Sequence, residues 1–361
     1  MSRIIVDSLR GNSASSDAIS LANDGTCTAN ITNRNNRNLW INGACLVNQR
    51  GSSSTGQGYQ TVDRFGLYSA GQDEALTQAQ VDVASGTTPY TLGFRKAFKV
   101  TNGNQTSGAG AADYAFIFYA FEAQDIANSG WNYNSASSFV TFSFWIKSSV
   151  AKSFKGYFKT GDGTDYAYAF DTGSLSADTW TKVTKTISGN SNLTVNNDNG
   201  NGLSLNFWPY IGTDYTASSA TEDAWVTLSG SARTKDDTST WWTTNDATLE
   251  FTGFQLEVGS VATDFEHRSY AQEEILCQRY YNTDGIILAD SNSYRYYNTI
   301  VLNVEMRALP TISLGAYDGG SGGGITYMWD NETNSTNKRC FYQYPSHSTI
   351  NSSWWKFDAE L

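Results

Sequence analysis

The stretch SSFVTFSFWIKSS sets Val140, Phe142, Phe144 and Ile146 against Phe139, Thr141, Ser143 and Trp145. That two-residue period predicts a strand with one strongly apolar face. TWTKVTKTISG, LSLNFWPYIG and ATLEFTGFQLEVG read as further strands. YTLGFRKAFKVTNG also alternates and ends in Asn-Gly, a hairpin signal. ADYAFIFYAFEA is an aromatic-rich strand, and KSFKGYFKTGDGTDYAYAFD reads as two strands around a Gly-Asp-Gly turn. The unit opens near Leu39 with NLWINGACLVNQRG, which turns at Asn42 and Gly43. Many short strands separated by turn signals, with little helical periodicity, predict an all-β chain whose main unit, residues 38–268, is a jelly-roll β-sandwich.

Residues 1–37 read as an extended N-terminal arm. RIIVDSL, AISLAND and TCTANITNRNNRN give three short strands, too sparse to bury a core alone. Ile4 and Val6 are therefore candidate contacts with a partner. At the other end of the sandwich, Ser269 and Gln272 have the spacing of a capping box, and SYAQEEILCQRYY predicts one short linker helix within 269–282. Tyr270, Cys277 and Tyr281 fall on one helical face, flanked by Leu276 and Tyr280, while Asn282 to Gly285 is a stop signal. Tyr270, Leu276, Tyr280 and Tyr281 are candidate interface residues. Residues 283–361 then predict a smaller C-terminal β domain, with strands such as YRYYNTIVLNVEM, PTISLGAY and SSWWKFDAEL.

Composition narrows the function. Aromatics are 14% of the 361 residues and charged residues 16%, which suits pleated strands and argues against disorder. A net charge of −11 argues against a nucleic-acid footprint. No apolar run approaches the ~20 residues of a membrane span, and MSRIIVDSLRGN lacks a signal-peptide pattern, so folding in a cytoplasm is expected. Cys27, Cys45, Cys277 and Cys340 match no zinc or redox spacing. No cofactor is expected; NNDNGNG (196–202) and GDGTD (161–165) offer oxygen ligands for a structural calcium, although turn chemistry accounts for both.

The order of LWINGACLVNQRG, YQTVDRFG, VTFSFWIKSS, LSLNFWPYIGTDYT, FTGFQLEVGSVATDFEHRSYAQEEILCQRYY, VEMRALPTISL and a terminal FDAEL resembles phage tail-fibre and receptor-binding proteins that carry a carbohydrate-binding-module-like jelly roll. The resemblance implies a virion structural protein, commonly a homotrimer, assembled in the host cytoplasm and located on the tail or particle surface. It also implies attachment to another tail or capsid protein through residues 1–37, and contact with a host surface glycan. No catalytic residue carries over from it.

The stretch FQLEVGSVATDFEHRSYAQEEILCQRYY concentrates charge, and two readings compete for it. Glu257 with Glu266 could be paired glycosidase carboxylates, and Cys277 with His267 a nucleophile and base. The other reading is a joint, in which Arg268 and Arg279 pair with nearby glutamates and the helix packs the sandwich onto the next domain; this is the expectation, and no enzyme activity is expected. Sugars stack on aromatic rings, so Trp208 with Tyr210, the pair Trp241 and Trp242, Trp131 with Tyr133, Trp354 with Trp355, and Tyr327 with Trp329 in a polar loop of the C-terminal domain are candidate contacts. Adjacent strand residues point to opposite faces, so each Trp-Trp pair should bury one ring and turn the other outward, to solvent or to an interface. Alternatives are a capsid or tail decoration protein without a receptor role, and a glycan depolymerase. A depolymerase of the long β-helix kind should show an internal coil repeat, which the chain lacks. A carbohydrate-binding module of a secreted enzyme is a further alternative, disfavoured by the missing signal peptide.

Overall fold

A computed structural model of the chain describes residues 6–12, 19–21, 27–29, 36–286, 297–301, 304–308, 310–317, 327–329, 339–343 and 353–361. The fold is all-β, with three short α-helices among the described residues, Thr88–Thr91, Ala123–Ala127 and Tyr270–Gln278. Two antiparallel sheets form the sandwich. One has six strands in the order Thr181–Ser188, Phe139–Ser148, Thr248–Val258, Lys96–Thr101, Thr77–Asp82 and Ser53–Ser54. The other has seven, in the order Trp225–Thr227, Tyr166–Asp171, Lys155–Thr160, Asn201–Ile211, Tyr114–Glu122, Gly66–Ala70 and Gly58–Tyr59.

Alternation decides what lies between the sheets. Val140, Phe142, Phe144 and Ile146 point inward, as their period requires, and meet Leu205, Phe207, Ile117 and Tyr119 of the opposite sheet in one apolar core. Trp40 is its hub, stacked on Tyr119 with ring centroids 3.9 Å apart and on Phe254 at 4.8 Å. Register shifts modulate the pattern. Gly253, at φ +68°, sits where the register of Phe139–Ser148 on Thr248–Val258 slips. A Cβ there would lie 2.7 Å from Phe94 Cζ, so both backbone and space demand glycine.

Outside the sandwich, Ser8–Leu9, Ile19–Leu21 and Cys27–Ala29 pair into a three-stranded antiparallel sheet. Val6, Leu9 and Leu21 are exposed there; Ile4 lies outside the described residues. Beyond the linker helix, two more three-stranded sheets form: Thr311–Tyr317 and Tyr281–Ile286 flank Ser353–Asp358, and Tyr297–Val301 and Tyr327–Trp329 flank Arg339–Gln343. The helix itself has the capping box that Ser269 and Gln272 encode. It stops at Gln278, however, and Asn282 to Gly285, read from sequence as a stop signal, pair with Trp354 to Phe357 as a strand. Among the described residues, no helix is long and apolar enough to cross a membrane.

Candidate functional site

The charged stretch is a joint built from the two ends of the sandwich segment, residues 36–42 and 254–273. Glu257 is buried and accepts from Thr263 through both backbone N–H (2.8 Å) and Oγ1 (2.7 Å), with Arg37 Nε 3.6 Å away. Glu266 accepts from the backbone N–H groups of Asn36 and Asn38. Arg268 donates to the carbonyls of Trp40 and Asn38 and pairs with Glu273, which in turn accepts from the Asn42 N–H. Residues 36–42 are thus laced onto residues 254–273, and both candidate carboxylates are consumed in holding backbone. His267 bonds the Leu92 carbonyl at 2.9 Å and packs on Phe94 and Phe265. Cys277 lies in a different environment, where burial pushes its thiol well above the ordinary range. A buried, protonated thiol is a poor nucleophile.

The second half of the joint seats the C-terminal segment. Arg64 is 1% exposed, lies 3.4 Å over the Tyr280 ring, donates to the Ala120 carbonyl and pairs with Glu360. Arg50 lies 3.6 Å over Tyr281 and faces Asp63 (3.6 Å), Asp358 (3.2 Å) and Glu360 (3.4 Å). Arg279 grips Glu122 through Nε at 2.6 Å and Nη2 at 2.7 Å. Burial would raise the Glu122 carboxyl, but hydrogen bonds from Arg279 and Tyr280 outweigh it, and the group titrates below its ordinary value. Burial, only partly offset by Arg50, lifts Asp63 to about 6. Tyr280 and Tyr281, read from sequence as interface residues, are covered within the chain by these arginines, at 1% and 3% exposure. Tyr270 is exposed and Leu276 half-buried.

The tryptophans chosen from the sequence are mostly interior. Trp241 and Trp242 are both fully buried, against the expectation of one ring outward. They lie in a turn rather than a strand, pinned by Asn102 Nδ2, which donates to the carbonyls of Trp241, Trp242 and Thr244. Tyr210 is 5% exposed and stacks on Trp242 at 5.2 Å. Trp208 and Tyr210, two apart, would share a face in a regular strand. A bulge between Phe207 and Tyr210, at Pro209, breaks the pattern, so that Phe207 and Tyr210 enter the core while Trp208 and Ile211 face outward. Even so, Trp208 has no exposed surface, because other rings cover it. Trp131 is also buried. The side chains of Tyr327, Trp329, Trp354 and Trp355 lie outside the described residues.

What the structure gathers instead is an aromatic face on the outside of the seven-stranded sheet. In YAFIFYAFE, Ala115, Ile117 and Tyr119 face the core, while Tyr114, Phe116 and Phe118 are half-buried on the other side. Phe116 is central: Trp208 lies 4.8 Å away, Tyr68 stacks at 5.2 Å, and Tyr114 is at 5.9 Å. One cross-strand row runs Ala169, Tyr157, Asn206, Phe118 and Gly66. It sets a phenol and an amide beside the rings. The segment 212–237, which includes the edge strand Trp225–Thr227, borders the face. Its Tyr215 meets Tyr114 edge-on at 5.6 Å, and Arg233 lies 4.8 Å from the Tyr215 centroid and 5.8 Å from that of Trp208. The segment is stitched by Arg233 N–H to the Tyr215 carbonyl (2.8 Å) and by Thr216 Oγ1 to Asp236 (2.9 Å). Sequence carried a signal for this face: a strand apolar on both sides needs a second cover, from protein or from ligand.

The two calcium-candidate turns come together. Asp162 accepts from Asn196 through backbone N–H (2.8 Å) and Nδ2 (2.7 Å), so the carboxylate closes a turn. Among the described residues, no group of three or more His, Cys, Asp or Glu side chains is placed to hold a metal ion.

No family model and no curated protein matches the chain. Among solved structures, similarity is found to the enzymatically active domain of tailspike protein 4 of bacteriophage CBA120, at 7% identity and a TM-score of 0.33 over 62% of this chain and 22% of that one. The family 11 carbohydrate-binding module of Clostridium thermocellum, in complex with a β-1,3-1,4-mixed-linked tetrasaccharide, matches at 11% identity and 0.27, over 59% of this chain and 98% of that one. The N-terminal cellulose-binding domain of Cellulomonas fimi β-1,4-glucanase C matches at 10% and 0.27, over 60% and 99%. These likenesses are distant, and the functional reading stands on the residues of the chain itself: a β-sandwich with an aromatic outer face.

Proposed function

We propose that the chain is a non-catalytic virion attachment protein whose β-sandwich contacts a host glycan. The observation that carries the glycan contact is the row of half-exposed rings Tyr68, Tyr114, Phe116 and Phe118 on the outside of the seven-stranded sheet. Such rings offer flat apolar surface to the C–H face of a sugar. The virion role is supported by the order of tail-fibre-like motifs along the sequence. The short N-terminal sheet with exposed Val6, Leu9 and Leu21 suits docking onto another tail or capsid protein. Contact rather than cleavage is favoured because Glu257 and Glu266 are spent on backbone donors of the joint. Oligosaccharide arrays probed with the full chain and with Phe116→Ala test the reading. A glycan held by the wild type and lost by the variant supports it. Binding that survives Phe116→Ala, or no glycan binding at all, rejects it in favour of a structural role without a receptor.

A further inference from the structure

The cations around the aromatic face differ in their partners. Lys155 pairs with Asp171 (2.6 Å) and Glu222 (3.0 Å), Lys159 with Asp165 (2.9 Å) and Lys235 with Glu222 (3.4 Å). Arg233, among the described residues, faces no carboxylate; its guanidinium rests only on the rings of Tyr215 and Trp208. Its Nε is buried without a hydrogen-bond partner, and so is the indole Nε1 of Trp208 beneath it. An unpaired buried donor is costly, more so when charged, and a chain with 35 acidic residues could readily have supplied an acceptor. The positive charge is also felt on the sheet: burial raises the Tyr157 phenol to about 12, and Arg233 draws it back.

We infer that the glycan bound on this face carries an anionic group, and that Arg233 receives it while the sugar ring rests on Phe116 and its neighbours. The inference rests on the glycan-contact reading and narrows its ligand to acidic saccharides. A planar guanidinium, pre-oriented against two rings, presents paired N–H donors to a carboxylate or sulfate. Its aromatic backing keeps one face dry, which strengthens a charge-assisted bond.

Calorimetric titration of the full chain with three probes tests this: an oligogalacturonate, a sulfated carrageenan oligosaccharide and a neutral cello-oligosaccharide. The expected result is tighter binding of at least one anionic probe than of the neutral one, weakened about tenfold or more by Arg233→Gln. Arg233→Lys should recover part of the loss, and added salt should weaken the wild type more than Arg233→Gln. Preference between the two anionic probes then tells carboxylate from sulfate. Equal binding of neutral and anionic probes, untouched by Arg233→Gln but lost in Phe116→Ala, overturns the anionic inference and leaves the aromatic face standing. Binding of none of the three probes, or binding that Phe116→Ala leaves intact, overturns both.

Discussion

Glu360→Ala should open the C-terminal segment without unfolding the sandwich. Glu360 is the counter-charge of Arg64, whose side chain is 1% exposed, and it also faces Arg50 at 3.4 Å. Removing one partner of a buried pair costs about 3–5 kcal/mol, because the other charge is left uncompensated. The protein can avoid that cost by releasing residues 357–361, which lets water reach Arg64. Release is opposed by burial of the Phe357 ring, worth about 1.5–3 kcal/mol, by the pairing of Phe357 and Asp358 with the strands on either side, and by further backbone anchors. These are Ala359 N–H to the Tyr280 carbonyl (2.8 Å), Arg307 to the carbonyls of Ala359 (2.7 Å) and Glu360 (3.1 Å), and Tyr59 Oη to the Leu361 carbonyl (2.9 Å). The two costs are similar, so the segment should open locally, at a free energy lowered by about 3 kcal/mol. Hydrogen exchange reads this directly: the Ala359 amide should exchange roughly 150-fold faster, while the amides of Phe142 and Phe144 keep their protection. Replacing both partners, Arg64→Met with Glu360→Met, should restore much of the loss. Unchanged exchange at Ala359, or an equal loss of protection in the sandwich core, would refute the reasoning.

Three further outcomes are expected. Phe116→Ala should weaken glycan binding by roughly tenfold, the worth of one stacked ring at about 1–1.5 kcal/mol, with little change in melting temperature because the ring is half-exposed; titration beside a thermal melt checks both. Gly253→Ala should destabilise the sandwich by about 2–4 kcal/mol, from the positive φ and the 2.7 Å approach to Phe94, as read from denaturant unfolding. Asp63 has its carboxyl raised from 3.8 to about 6, so the folded state binds a proton more tightly than the unfolded. Its contribution is therefore full below pH ~3.8 and is lost as pH rises through about 6, a change of about 3 kcal/mol. The stability of Asp63→Asn relative to wild type should improve by that amount between acid and neutral pH, and a pH-independent difference would count against it.

Local and periodic features were legible in the sequence, and long-range ones were not. The alternation of Phe139 to Ser148 gave the inward face, and the spacing of Ser269 and Gln272 gave the helix start, because both depend on neighbouring residues only. The end of that helix was misplaced because Asn282 to Gly285 are claimed by pairing with residues 354–357, 69 to 75 positions away. The Pro209 bulge that separates Trp208 from Tyr210 is set by packing of the flanking strands, which no local pattern reports. Counting tryptophans favoured the largest rings as ligand contacts, yet large rings are also the best core fillers, and Trp208, Trp241 and Trp242 are fully buried. The informative signal lay in YAFIFYAFE, apolar on both of its faces. Arg233 was beyond sequence reading: its partners, Trp208 and Tyr215, are brought to it by the sheet and the fold of the bordering segment.

The measurement that tests the central claim most directly is a crystal structure of the full chain with an oligosaccharide it binds. The account expects a sugar ring over Phe116, between Tyr68 and Tyr114, on the outside of the seven-stranded sheet. A sugar seated elsewhere, or a second copy of the chain covering those rings, would contradict it.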